Sequence, residues 1–275
     1  MIDILQRQSM RIILAGLAVF VAVEVADRFV DLPGWVRAIV LVAVVAVLVG
    51  LVLVFVFPGK DHDRDPIVVT SPVRGRWLAL NSPATKVPSH GVRAYGQAFA
   101  IDLCLEPIDG PQRPAFGTGP GMARPEDFPA FGAPVHAMID GVVVRVADRQ
   151  RDHRTRSRIW AVLYMMVEGA LREFRGADGV IGNQVVIDGG DGVHALVAHL
   201  QQGSATVRVG DRVRAGDVIG ACGNSGNSSE PHVHAQLMDR PRPNGARGLP
   251  MAFAQVEIGG DVRNGLPENS QHMIG

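Results

Sequence analysis

An excess of charge of either sign is missing from this chain: Lys+Arg and Asp+Glu each total 27, so the formal net charge is zero. That removes the global electrostatic footprint of a nucleic-acid binder, and no nucleic-acid partner is expected. Cysteine is nearly absent, with Cys104 and Cys222 alone, too few for a disulfide framework. Two separate buried thiols are the expectation, with a single bridge the alternative in an extracytoplasmic domain. Lysine is equally scarce: past residue 60 only Lys86 occurs. Aromatic residues make up 5% of the chain, whereas glycine is abundant at 32 of 275 residues. This balance suits a β-rich fold with many tight turns.

Long apolar runs are confined to the N-terminal part. Residues 38–57, AIVLVAVVAVLVGLVLVFVF, are twenty consecutive uncharged positions. That length spans a bilayer core as a helix and is too long for a core strand. An earlier run, Ile12 to Val23, reaches Val30 only by absorbing Glu24, Asp27 and Arg28, at a cost in lipid. It reads as a first membrane helix over 12–30 with a wet end, as an interfacial segment, or as a signal-peptide core behind Arg7 and Arg11. Basic residues flank both runs, so the positive-inside rule gives little contrast. The expected organisation is a membrane anchor over 1–57 and a polar linker over 58–75, with His62 solvated in it. A domain over 76–264 and a polar tail over 265–275 follow.

Past Ile67 the sequence breaks into short β-like runs between Gly, Pro, Asn and Asp: 141–146, 184–187, 193–199, 206–209 and 218–220. Regularly spaced short strands predict an all-β sandwich or barrel. An insertion over about 148–181 interrupts them. Its Ile159 to Phe174 has helical length and helical apolar spacing, preceded by Arg149, Arg151, Arg154, Arg156 and Arg158, with His153 among them. A helix packed on the barrel with a solvated basic lead-in is one reading. A lid or a membrane-surface contact through the arginines and Trp160 is the other.

The chemistry concentrates in histidines. His232 and His234, two apart behind a Gly-Asn-Ser-Gly-Asn-Ser-Ser-Glu-Pro turn, project from one face of a strand. Imidazole is both a common metal ligand and a proton carrier near neutral pH. His136 reads as a strand residue, His194 as a packed or surface residue on the strand face opposite His199, and His272 as part of the tail.

Three stretches taken together are Ser89-His90-Gly91 running on to Asp102, Val197-Ala198-His199-Leu200, and Pro231-His232-Val233-His234. With Val207 to Gly220 between the last two, they resemble the lysostaphin-type zinc metallopeptidases, the LytM-domain peptidoglycan endopeptidases, over about residues 76–255. The resemblance implies a compact antiparallel β-sheet or barrel-like domain with one zinc ion in an open groove. It implies His90, Asp102 and His234 as zinc ligands and His199 and His232 as catalytic histidines. Three protein ligands leave a fourth position for water, whose attack on an amide the zinc promotes. Three departures stand out, one of them the atypical insertion over about 148–181. Many members place the first histidine four residues before the aspartate, where this chain has Ala98, and His90 lies twelve residues before Asp102. A loop role for His90 is the alternative. Ala235 also follows His234 where a bulky aromatic is usual.

Two rivals come from Val209 to Ile219, which is similar to the hairpin of lipoyl and biotinyl carriers and of a phosphotransferase component. A carrier needs a lysine at the hairpin tip, and none is there. A phosphotransfer protein would pair histidines without an aspartate ligand. The remaining expectation is a membrane-anchored zinc endopeptidase acting on peptidoglycan peptides outside the cytoplasmic membrane. An inactive or regulatory module of the same type, binding cell-wall peptides or activating a partner hydrolase, is the alternative.

Overall fold

The structure is a computed structural model that describes residues 9–55 and 64–275. The chain divides into two units, 1–60 and 61–275. The linker histidine His62 and the end of the second apolar run lie outside the described residues.

The first unit is a pair of helices, α1 (Ser9–Ala26) and α2 (Val36–Phe55). Small residues let them approach closely. A Cβ on Gly16 would stand 2.7 Å from Val47, and one on Gly50 would stand 2.5 Å from Ile13. Both helices begin a few residues before the expected 12 and 38, and the first ends at Ala26 rather than at 30. Among the residues whose side chains are described, no helix is long and apolar enough to cross a membrane. Among those residues the transmembrane helices expected from the sequence are therefore not supported.

The second unit is mostly β. Its strands are β1 (Ile67–Val69), β2 (Arg76–Leu80), β3 (Ile101–Leu105), β4 (Pro134–His136), β5 (Gly141–Ala147), β6 (Gln184–Asp188), β7 (His194–Ala198), β8 (Arg212–Val213), β9 (Val218–Ala221), β10 (Val233–Met238), β11 (Gly248–Leu249), β12 (Met251–Ile258), β13 (Asp261–Gly265) and β14 (His272–Ile274). Two helices, α3 (Ile159–Glu173) and α4 (Ala177–Ile181), lie within the insertion. The main sheet runs β1-β12-β14-β2-β3-β10-β7-β6-β5-β8, with β11 on β10 and β13 on β12, while β4 and β9 form a separate pair.

Several expectations change here. Among the described strands the sheet follows an open path rather than closing as a barrel, and β1 pairs with β12 in parallel. Residues 67–69, read as linker, are a strand because Ile67 to Val69 register on Met251 to Phe253. The tail is sheet as well: β14 pairs with β2, and His272 Nε2 meets Glu106 Oε2 at 2.8 Å. Residues 206–209 form no strand, and β8 and β9 pair with β5 and β4 rather than with each other. Cys104 and Cys222 are separate buried thiols.

The central strands carry a different cluster on each face. Ile101, Leu103, Val185, Ile187, Ala195, Val197, Val233, Ala235 and Leu237 join the large core. Val186, Leu196, Ala198 and Met238 point the other way, toward Ala177, Ile181 and Tyr95. Period-two alternation thus assigns the even-numbered residues of these strands to the second face, and that face holds the candidate site.

The glycine-rich loop before β10 packs back to back on the loop after α4. Gly226 has φ +73°, and a Cβ there would lie 2.5 Å from Gly182 N and 2.6 Å from Val180 O. Only backbone fits between the two chains. Gly226→Ala should lower stability by roughly 2–5 kcal/mol, combining left-handed strain with overpacking. A lower denaturant midpoint at unchanged m-value would show it.

Candidate metal centre

One row across the sheet builds the centre. In antiparallel register Asp102 on β3 stands opposite His234 on β10, and His234 stands opposite Ala198 on β7. Leu80 on β2 flanks Asp102 on the other side. The row therefore delivers a carboxylate and an imidazole side by side, with His199 one residue beyond. His234 Nδ1 lies 2.9 Å from Asp102 Oδ1.

His90 arrives from outside the sheet. Its loop is tied to the 3₁₀ turn Ala94–Phe99 by Ser89 N bonding to Ala98 O. Its Nε2 lies 3.0 Å from Asp102 Oδ2. The loop thus closes the twelve-residue gap that set His90 apart in the sequence. His90, Asp102 and His234 each offer one ligand atom, all within 4.8 Å of one another.

His232 precedes β10, with Nε2 3.6 Å from Asp102 Oδ1. The His199 ring centroid lies 4.7 Å from that of His232 and 5.7 Å from that of His234. All five sequence-predicted residues therefore meet at one place. His136 and His272 lie elsewhere, bonding Pro72 O and Glu106. His194 occupies the site face of β7 but its far end, beside Asp188. The parity argument that separated His194 from His199 fails because His199 sits past the strand end with φ +59°.

Hydrogen bonds to backbone carbonyls, which only accept, assign the ring protons. Ser89 Oγ donates to Gln97 O at 3.1 Å, so it accepts from His90 Nδ1 at 3.0 Å. Gln236 Nε2 donates to Tyr95 O at 2.8 Å, which turns Oε1 toward His234 Nε2 at 2.9 Å. In their neutral forms His90 Nε2 and His234 Nδ1 are then bare lone pairs facing a carboxylate. Three converging lone-pair donors of two imidazoles and one carboxylate fit a divalent cation such as zinc. His199 Nδ1 donates to Ser225 O at 2.8 Å, and His232 Nδ1 donates to Glu230 O at 2.8 Å. In the neutral rings both Nε2 atoms can then accept a proton, that of His232 lying 3.6 Å from Asp102 Oδ1.

The electrostatics separate these groups. Burial raises the Asp102 carboxyl, but the charges of His90 and His232 when protonated, and the hydrogen bonds that protonated His232 and His234 donate, outweigh it. Asp102 ends well below the usual carboxylate range. Burial, with His232 and His234 adjacent, holds His199 well below the ordinary imidazole value. Burial lowers His232 too, but the Asp102 charge overrides it and the net shift is upward. Cys104 shares the even face of β3, yet burial pushes its thiol well up and keeps it protonated.

Sequence reasoning missed the residues that orient the five. Gln236 was findable, two positions past His234 and so on the same face. Asn81, whose Nδ2 donates to Asp102 Oδ2 at 2.8 Å, follows only from the β2–β3 register.

Two outcomes follow from this geometry. At φ +59° a side chain is strained, so His199→Gly should be more stable than His199→Ala by about 1 kcal/mol, read from paired denaturation curves. Asp102 ionises more readily folded than unfolded. Its contribution is complete above the unfolded value of about 3.9 and is lost as pH falls through the lower folded value. Asp102→Asn should flatten the acid limb of metal-free stability in a pH series of thermal melts.

Residues 126–246 match the family model described as Peptidase family M23. That stretch contains His199, His232 and His234, whereas His90 and Asp102 lie before it. The chain is 41% identical over 73 residues to the glycyl-glycine endopeptidase ALE-1 of Staphylococcus capitis, covering 26% of this chain and 20% of that protein. It is 40% identical over 70 residues to the DD-carboxypeptidase/endopeptidase Mpg of Neisseria gonorrhoeae, covering 26% of this chain and 16% of that protein. The chain thus spans about a fifth or less of the length of these curated relatives. The catalytic domain of lysostaphin from Staphylococcus simulans aligns over 64% of this chain and 88% of that one, with 19% identity and a TM-score of 0.33. The motif histidines His199, His232 and His234 thus lie inside the stretch that matches peptidase family M23.

Proposed function

We propose that this chain is a membrane-anchored zinc metallopeptidase that hydrolyses peptide bonds of peptidoglycan outside the cytoplasmic membrane. The observation that carries the reading is the convergence of a three-donor ligand set and two proton-carrying histidines on one sheet face. His90, Asp102 and His234 would hold the zinc. Bound there, it supplies Lewis acidity toward the scissile carbonyl and makes a water acidic near neutral pH.

The chain's own residues supply the proton chemistry. His199, neutral and with its lone pair on Nε2, is suited to accept the proton of an attacking water. His232, displaced toward the protonated form, is suited to hold a proton for the developing oxyanion or to deliver it to the leaving amine. Opposite displacement of two neighbouring groups is the pattern of an acid–base pair. The regulatory alternative rested on the sequence distance of His90, and the 3.0 Å approach of His90 Nε2 to Asp102 weakens it.

The peptidoglycan substrate is drawn from the family resemblance, and the relatives' printed activities, endopeptidase and carboxypeptidase, agree with a peptide substrate. Membrane attachment is drawn from the sequence run 38–57. The outward apolar surface of the helix pair supports it: Leu17, Val21, Val25, Leu41, Val42 and Leu48 are each 45–68% exposed, a surface that water does not favour.

Zinc measured per purified chain should be close to one and should be lost in His90→Ala, Asp102→Ala and His234→Ala. His199→Ala and His232→Ala should keep the metal and lose about 10²–10⁴-fold in turnover of cell-wall peptides. A folded wild-type chain without zinc, or full turnover in both histidine variants, would overturn the enzyme.

A further inference from the structure

Helix α3 turns its charged side toward the domain and its apolar side to solvent. Glu168 accepts from Arg156 at 2.5 Å, Arg172 lies 3.6 Å from the same carboxylate, and Glu173 accepts from the Tyr95 hydroxyl. Ala161 is the one fully buried residue of the helix. The opposite side carries Trp160, Leu163, Tyr164, Val167, Leu171 and Phe174, each 49–63% exposed. Steps of three, four and seven place them on one stripe. From Trp160 to Phe174 that stripe runs about 21 Å along the axis. The packed helix expected from the sequence would have shown the reverse orientation.

The stripe is framed by positive charge. Arg149, Arg151, Arg154 and Arg158 before the helix, and Arg175 after it, are exposed. Among the described residues, two of them bond only to backbone carbonyls that leave the charge uncompensated: Arg154 to Met122 O and Arg158 to Gly119 O. The nearby carboxylates face elsewhere. Asp152 accepts from the amides of Gln202 and Asn224, and Asp178 accepts from Arg145. His153 and Arg156 are buried, so the lead-in is not uniformly solvated as expected.

We propose that α3 docks the peptidase domain on the surface of an anionic phospholipid bilayer. The apolar stripe enters the acyl boundary and the flanking arginines meet headgroup phosphates. An apolar face carrying Trp and Tyr between basic residues is the composition of an interfacial helix. A second copy of this chain fits the stripe poorly, because it would bring two such arginine sets together. The proposal builds on the membrane reading above. Only nine residues, 58–66, separate the apolar run from β1, a reach of at most about 30 Å.

The test reconstitutes the full chain in vesicles of brominated phosphatidylcholine, with or without phosphatidylglycerol, and follows tryptophan emission. The difference between wild type and Trp160→Phe isolates Trp160 from Trp35 and Trp77. Quenching of Trp160 in the anionic vesicles is expected. It should weaken at high salt and be lost in Arg154→Glu/Arg158→Glu, with turnover of soluble cell-wall peptides unchanged. No Trp160 quenching in anionic vesicles would overturn the proposal. So would a detergent-solubilised dimer that Leu163→Glu/Val167→Glu converts to monomer. Flotation resistant to alkaline carbonate reads the anchor separately: its loss with Trp160 quenching retained would sink the anchor alone, and the reverse would sink the docking helix alone.

Discussion

The candidate centre depends on one strand register, the pairing of His234 with Asp102 across β10 and β3. Asp102 lies 132 positions before His234 in the chain, yet the ladder sets them opposite each other. Because side chains alternate, a slip of one residue would send Asp102 or His234 into the large core and bring Val233 or Leu103 to the site. The apolar neighbours prevent that slip. Ile101, Leu103, Val233, Ala235 and Leu237 are all fully buried on the core side, so the burial that stabilises the sheet also holds the ligands in register.

Around that row the backbone does the orienting. Each of the four histidines is held, directly or through one side chain, by a carbonyl that can only accept. Gln97 O acts through Ser89, Tyr95 O through Gln236, and Ser225 O and Glu230 O directly. The first pair leaves nitrogen lone pairs facing Asp102, and the second leaves, in the neutral rings, Nε2 atoms that can accept a proton. The glycine-rich motif is thus structural as well as functional. Its Ser225 carbonyl orients His199, its Ser225 hydroxyl bonds Leu200 O, and its Gly226 permits close packing on Gly182.

The insertion ties into the same scaffold from outside. His153 bonds Gly226 O, and Asn224 bonds His153 O. The charged side of α3 reaches Tyr95, on the turn that supports the His90 loop. These ionic contacts use up the polar side of the helix and leave its apolar side outward. An amphipathic helix in this orientation cannot serve as core, so its uncovered stripe is best understood as a surface meant to be covered.

The sequence by itself, through its motifs and their resemblance to a known family, singled out the five residues that the structure brings together. It also determined a mostly β domain, the α3 helix almost to the residue, and the shared face of His232 and His234, since period-two and period-3.6 patterns are local. Tertiary structure decided everything that depends on pairing between distant segments. It decided that His90 reaches Asp102, because a loop's path is not encoded in spacing. It turned the presumed linker and tail into strands, because a three-residue strand is recognisable only beside its partner. It opened the sheet rather than closing it, since closure depends on which edges meet. It also decided which way α3 faces, because amphipathic spacing defines a stripe but not the side on which the domain lies.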